Sequence, residues 1–148
     1  MGQSPDSNTY NDKTGIEFHQ GKGHFTEYLI DNSNIYTSKP QKIAPKNSII
    51  MSVRAPVGDI NLVNREICIG RGLCSIIPDK NINLKYIFIY LWLNKKLFEK
   101  QSTGTTFKAI NKDVICNFEV LLPPLEEQNR ILIKLNKIIK FFNFTYNS

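Results

Sequence analysis

Leu121–Phe142 reads LLPPLEEQNRILIKLNKIIKFF, the one long stretch in which periodicity, start signal and charge order agree on a single helix. Leu125, Gln128, Leu132, Leu135, Ile139 and Phe142 recur at alternating steps of three and four, and Ile131, Leu135, Ile138 and Phe142 form an overlapping second row at coiled-coil spacing. Pro124 fits a first helical turn, where a missing N–H costs nothing. Glu126 and Glu127 sit at the positive end of the helix dipole and Lys134, Lys137 and Lys140 toward the negative end. Such a helix either closes its own domain's core or pairs with a helix of a second copy or another subunit. Two apolar rows exceed what a lone surface helix needs, which favours an interaction helix with Leu125, Ile131, Leu132, Leu135, Ile138, Ile139 and Phe142 as its contact face. The expected organisation is a domain over 1–122, the helix over 123–142 and a polar, unhelical tail over 143–148.

Upstream of the helix the chain reads as one mixed domain. Residues 1–15 carry Gly, Ser, Pro, Asn and Asp without periodicity and read as a loop. Ile16, Phe18 and Gln20 alternate with Glu17 and His19 as a strand that ends in the turn Gly21–His24. Residues 25–46 have no clear pattern. SIIMSV from Ser48, INLV from Ile60, EICIG from Glu66 and GLCSIIP from Gly72 are short strands in succession, which implies a twisted, mostly antiparallel sheet. Asn83 opens a helix, LKYIFIYLWLNKKLF, apolar round more than half its circumference and therefore a buried core helix. Asn111 is the N-cap of a short helical turn ending near Ile115, and NFEVLL is a last strand. The fold class is α+β, a twisted sheet with packed helices, followed by a coiled-coil-like C-terminal helix.

The totals restrict the function classes. A chain of 148 residues is about one domain's worth, with 41% hydrophobic and 22% charged residues, the composition of a globular protein. No apolar run approaches the roughly 18 residues of a membrane span. The start MGQSPDSNTYNDK lacks the apolar core of a signal peptide, so the expected location is the cytoplasm. Cys68, Cys74 and Cys116 are odd in number, lie in apolar runs and lack C-x-x-C spacing, which predicts buried thiols and neither a disulfide framework nor a zinc site. A formal charge of +6 favours a polyanionic partner, although solubility alone accounts for such an excess in many small domains.

The common catalytic constellations fail on spacing. Between Gly15 and Lys22 the glycines lie one residue too far apart for a phosphate loop, and Gly23 stands where a magnesium-binding hydroxyl is required. Gly21 and Gly23 have no third glycine for a dinucleotide site. His19 and His24 are five apart with no acid between them, unlike a zinc-protease pair. Pro123-Pro124 follows Leu121 and Leu122, where an amino-methyltransferase needs a residue that holds the target amine. Pro78-Asp79-Lys80 lacks the second acidic element of a metal-dependent nuclease.

Three loops remain that join a basic residue to glycine or small hydroxyl residues: Lys22 and His24 between glycines, Arg54 before a Pro-x-Gly turn, and Ser102–Lys108 with Thr105, Thr106 and Lys108. Backbone N–H groups, hydroxyls and cations in such loops suit phosphate oxygens. Gln20, Arg54 and Asn111 are also of types that read base edges. Arg54 and Arg71 have a structural alternative as well, capping carbonyls or pairing with Asp59 or Glu66.

SVRAPVGD at Ser52–Asp59, CIGRGL at Cys68–Leu73, TGTTFKAI at Thr103–Ile110 and LPPLEEQNRI at Leu122–Ile131, together with Gly2-Gln3-Ser4-Pro5 and IEFHQ, occur in one order along the chain. In this the chain resembles the specificity subunit of type I restriction–modification systems. The resemblance implies a target-recognition domain that reads one half of a split double-stranded DNA sequence, followed by a conserved spacer helix. It adds Ser4 and Arg71 to the DNA-facing set. It also implies a non-catalytic protein without cofactor or metal of its own, which places methyltransferase subunits and, through them, restriction subunits; S-adenosylmethionine, ATP and magnesium are expected on those partners. Family members usually carry two recognition domains and two spacer helices, whereas this chain has one of each and a short spacer. Two copies pairing through their helices would rebuild a full subunit with a symmetric split target. The alternative is a protein-interaction or masking module that works through its helix without productive DNA recognition.

Overall fold

A computed structural model describes the backbone of residues 1–104 and 108–146, with side chains over the same span as far as Lys137. Among the described residues eight short strands form two sheets. They are β1 (Tyr10–Asn11), β2 (Ile16–His19), β3 (Tyr36–Thr37), β4 (Ile43–Ala44), β5 (Ile49–Ser52), β6 (Ile60–Leu62), β7 (Ile67–Ile69) and β8 (Leu73–Ile76). The first sheet has the order β1-β3-β2-β7-β4 and the second β6-β5-β8. Every pairing is antiparallel except β2 with β7, which run parallel with Phe18 opposite Cys68 and His19 opposite Ile69. The helices are α1 (Leu84–Leu93), α2 (Lys95–Lys100), α3 (Lys112–Cys116) and α4 (Leu125–Tyr146).

The second sheet is buried on both faces, which explains why β5 reads as an unbroken apolar run and not as an alternation. Successive side chains of a strand point to opposite faces. Ile49, Met51 and Val53 join Ile60, Leu62 and Cys74 against Ile87, Phe88 and Leu91 of α1 and Phe98 of α2. Ile50 points the other way, into a core with Ile67, Ile69, Leu73, Ala44 and Ile30 beneath the first sheet. The sheet–sheet–helix stacking thus follows from one strand with two apolar faces.

Several local expectations are corrected. The stretch read as a loop over 1–15 contains a 3-10 turn at Ser7–Thr9 and β1, and the unpatterned 25–46 contains β3 and β4. These two-residue strands are too short to show a period. The single helix from Asn83 is two, because the Asn94 side chain donates from Nδ2 to Tyr90 O (2.8 Å) and the backbone turns there before α2. α1 is also less buried than expected: Trp92 is 62% and Leu93 66% exposed. NFEVLL forms no strand; Phe118 and Val120 pack on the core while Leu121 is held between Tyr86 and Tyr90, donating to the Tyr90 hydroxyl and accepting from that of Tyr86. Cys68 and Cys74 are buried, with burial pushing the Cys74 thiol up to about 11, but Cys116 at the end of α3 is exposed. α4 begins one residue after Pro124 and runs to Tyr146, four residues past Phe142. No described helix is long and apolar enough to cross a membrane.

Candidate nucleic-acid interface

The site is assembled from the ends of β2, β5 and β7. Ser52, buried at the end of β5, pins the turn that follows it: its Oγ donates to Pro56 O (2.7 Å) and accepts from Asp59 N (3.0 Å). That turn, which contains a cis Ala55–Pro56 peptide, carries Arg54 at its exposed start. Ala55 N donates to Lys108 O (2.9 Å) and Ile110 N to Val53 O (3.0 Å), so Lys108 is brought beside Arg54. Both line one cleft with Ala55 and Ala109.

On the other side of Arg54 lies a second cleft, lined also by Gln20, Gly21, Lys22, Ser52 and Gly72. Here the Gly70-Arg71-Gly72 turn wraps the end of β2. Gly70 N donates to His19 O (2.8 Å), Gly72 N to Gln20 O (3.2 Å) and Val53 N to Gly72 O (2.9 Å). Gly70 is required by this close approach, since a Cβ there would stand 2.9 Å from Gln20 Cα and 2.6 Å from its Oε1. Ser4 of the N-terminal arm closes the arrangement, donating from Oγ to Gln20 Oε1 (2.7 Å) and accepting from Arg71 N (3.3 Å).

Electrostatics divide the cations. Lys22 is paired with Asp59, whose other oxygen lies 2.5 Å from Lys95 Nζ. Partial burial pushes the Asp59 carboxyl up, but the bonds from Lys22 and Lys95 outweigh it and hold the pKa below its ordinary value. Arg54, Arg71 and Lys108 are exposed and make no ion pair among the described residues. Asp59 is thus partnered by two lysines and by neither arginine. The role of Lys95, seventy-three residues from Lys22, had no signal in the sequence. Asn61 was missed as well. Fully buried, it accepts from Thr26 N and donates to Thr26 O (2.8 Å each), which fixes the segment after Lys22 and His24.

The remaining expected residues are placed differently. His24 is half-buried, edge-on to His19 with ring centroids 5.6 Å apart, and lines neither cleft. Asn111 is the N-cap foreseen, and its Oδ1 is committed to Val114 N (3.0 Å). Thr105 and Thr106 lie outside the described residues. Beneath the site, buried Glu17 accepts from Arg65 Nε (2.6 Å), Arg65 Nη2 (2.8 Å) and Ser33 N (2.8 Å), and His19 Nε2 lies 2.8 Å from its Oε1. Burial raises the Glu17 pKa, but these partners bring it below the ordinary value; burial lowers that of His19. Among the described residues, no group of three or more His, Cys, Asp or Glu is placed to hold a metal ion.

A family described as the type I restriction modification DNA specificity domain matches residues 1–146. The chain belongs to this family. A type I restriction enzyme specificity subunit, MjaX, of Methanocaldococcus jannaschii is 42% identical over 140 residues, which cover 93% of this chain and 33% of the relative. The HsdS subunit of Thermoanaerobacter tengcongensis has a crystal structure similar to this chain at a TM-score of 0.85 and 40% identity, over 95% of this chain and 34% of that one. The S subunit of M. genitalium, at 20% identity and a TM-score of 0.66, shares the fold. The chain spans about a third of the length of these specificity subunits.

In this specificity-domain chain the start of α4 is locked to α1. Gln128, 1% exposed, donates from Nε2 to Pro123 O and accepts at Oε1 from Asn83 N (2.8 Å each). Asn83 in turn caps α1, accepting from Lys85 N and Tyr86 N, and donates to Asn129 Oδ1. Ile131, Leu132 and Leu135 line an apolar groove with Tyr86, Ile89, Tyr90 and Leu93 of α1, while Leu125 is 39% exposed. Part of the face expected for a partner therefore packs on the chain's own domain. The side chains of Ile138, Ile139 and Phe142 lie outside the described residues.

Proposed function

We propose that the chain is a DNA-reading module of a type I restriction–modification specificity subunit, non-catalytic, binding one half of a bipartite target. The observation that supports this most is Arg54, exposed and unpaired among the described residues, lining two clefts, one with Lys108 and the other with Gln20, Lys22 and Gly72, the residue after exposed Arg71. Cations on loops supply salt-dependent phosphate binding, and an amide side chain between them is of the type that reads bases. The module works in the cytoplasm and positions methyltransferase subunits and, through them, restriction subunits. S-adenosylmethionine, ATP and magnesium reside on those partners. α4 pairs with a partner helix, supplied by a second copy of this chain where no second recognition domain follows.

Binding of the purified chain to a random duplex pool across a salt series, with mass measured in the same buffers, tests the reading. Dimers that enrich a split, symmetric sequence, with affinity falling steeply in salt, are expected. A chain that enriches no sequence, alone or with its methyltransferase subunit, overturns it.

A further inference from the structure

We propose that Gln20 reads a base as a donor only, with Ser4 as the positioning residue that imposes this, so that the position it contacts is guanine. The inference rests on the target-recognition reading above. Ser4 accepts the Arg71 N–H and donates its own O–H to Gln20 Oε1 at 2.7 Å, a chain of hydrogen bonds that polarises the carboxamide and turns its oxygen inward. The rest of that oxygen is packed on the Gly70 backbone, where even a Cβ would come within 2.6 Å. The Nε2 group has no partner among the described residues, and the exposed side chain lines the cleft between Lys22 and Arg54.

A free glutamine prefers adenine, because its oxygen accepts from N6 while its amide donates to N7. Gln20 has spent that oxygen on Ser4. Its two N–H groups match instead the adjacent acceptors O6 and N7 of guanine in the major groove. The turn that clasps Gln20, with Gly72 so close to the Gln20 carbonyl that a Cβ would stand at 2.7 Å, holds the residue in place before DNA arrives. Pre-ordering of this kind favours readout, since less freedom is lost on binding.

The test is selection of the full chain, as wild type, Gln20→Ala and Ser4→Ala, on a random duplex pool, with melting curves of each variant. The wild type is expected to enrich guanine at one position of its half-site. Gln20→Ala should reduce that preference roughly 5- to 100-fold, the range for one bidentate pair, and leave the other positions and the salt slope unchanged. Ser4→Ala releases Oε1 and should let adenine compete with guanine at that position, an effect that loss of stability does not produce. If Gln20→Ala unfolds, the base switch in Ser4→Ala decides. Unchanged preference at every position in both variants overturns the role of Gln20 while target recognition stands. A wild type that enriches no sequence overturns both.

Discussion

Replacing Gln128 with leucine keeps the volume and removes two hydrogen bonds at the root of α4. The Asn83 N–H and the Pro123 carbonyl would lose their partners, both now at 2.8 Å. A buried polar group left unsatisfied costs roughly 1–3 kcal/mol, so two set an upper range of about 2–6 kcal/mol. A surface cleft lined by Asp79, Asn81, Leu122 and Pro123 opens beside Gln128 and lets water reach part of the site, which places the loss near the lower end. At about 2 kcal/mol, Tm should fall by roughly 4–8 °C for a chain of this size. Hydrogen exchange supplies the local readout, with the Asn83 amide losing protection while amides of β5 keep theirs. Gln128→Glu gives a sign test. A carboxylate can accept from Asn83 but faces the Pro123 carbonyl acceptor to acceptor, so its folded pKa is raised. The variant's stability should then be highest below about pH 4.3 and fall as pH rises through the folded value, relative to wild type. A leucine variant within 1 °C of wild type on a roughly 4–8 °C expectation, with Asn83 exchange unchanged, refutes the lock.

Three further outcomes follow from the site. Arg54→Ala with Lys108→Ala should flatten the plot of log affinity against log salt by about 1.8, two phosphates at about 0.9 each, and an unchanged slope in filter binding counts against both contacts. The folded pKa of His19 lies below the ordinary value of about 6.5, so the folded state holds fewer protons and stability is complete above that pH and declines as pH falls. Glu17 acts in the same direction below about pH 4.3. Melting between pH 7 and 5 should therefore show the decline in wild type and a flatter curve in His19→Gln, whose amide can still donate to Glu17; parallel curves count against it. Gly70→Ala drives a methyl into Gln20 and should cost about 1–3 kcal/mol in denaturant titration, whereas wild-type stability would mean the turn relaxes freely.

The order of local elements was legible because it depends on neighbours in the chain. Ile49–Ser52 is a strand whichever sheet receives it, the Asn83 and Asn111 side chains cap whatever helix follows, and the period of Leu125–Leu135 specifies a helix with an apolar stripe. The candidate cations Arg54 and Lys108 could also be named, since glycine and small residues beside a basic one are a local pattern. Tertiary structure decided which of these residues remain available. Lys22 is paired with Asp59, Asn111 spends its oxygen on a cap, His24 packs against His19, and Ile131, Leu132 and Leu135 of α4 face α1. The parallel pairing of β2 with β7 and the contact of Gln20 with Gly70 join segments fifty residues apart, and the Ser4–Gln20 bond spans sixteen. Hydrogen bonds and ion pairs are made by groups a few ångströms apart in space, and a pattern of neighbours along the chain holds no information on which distant groups those will be.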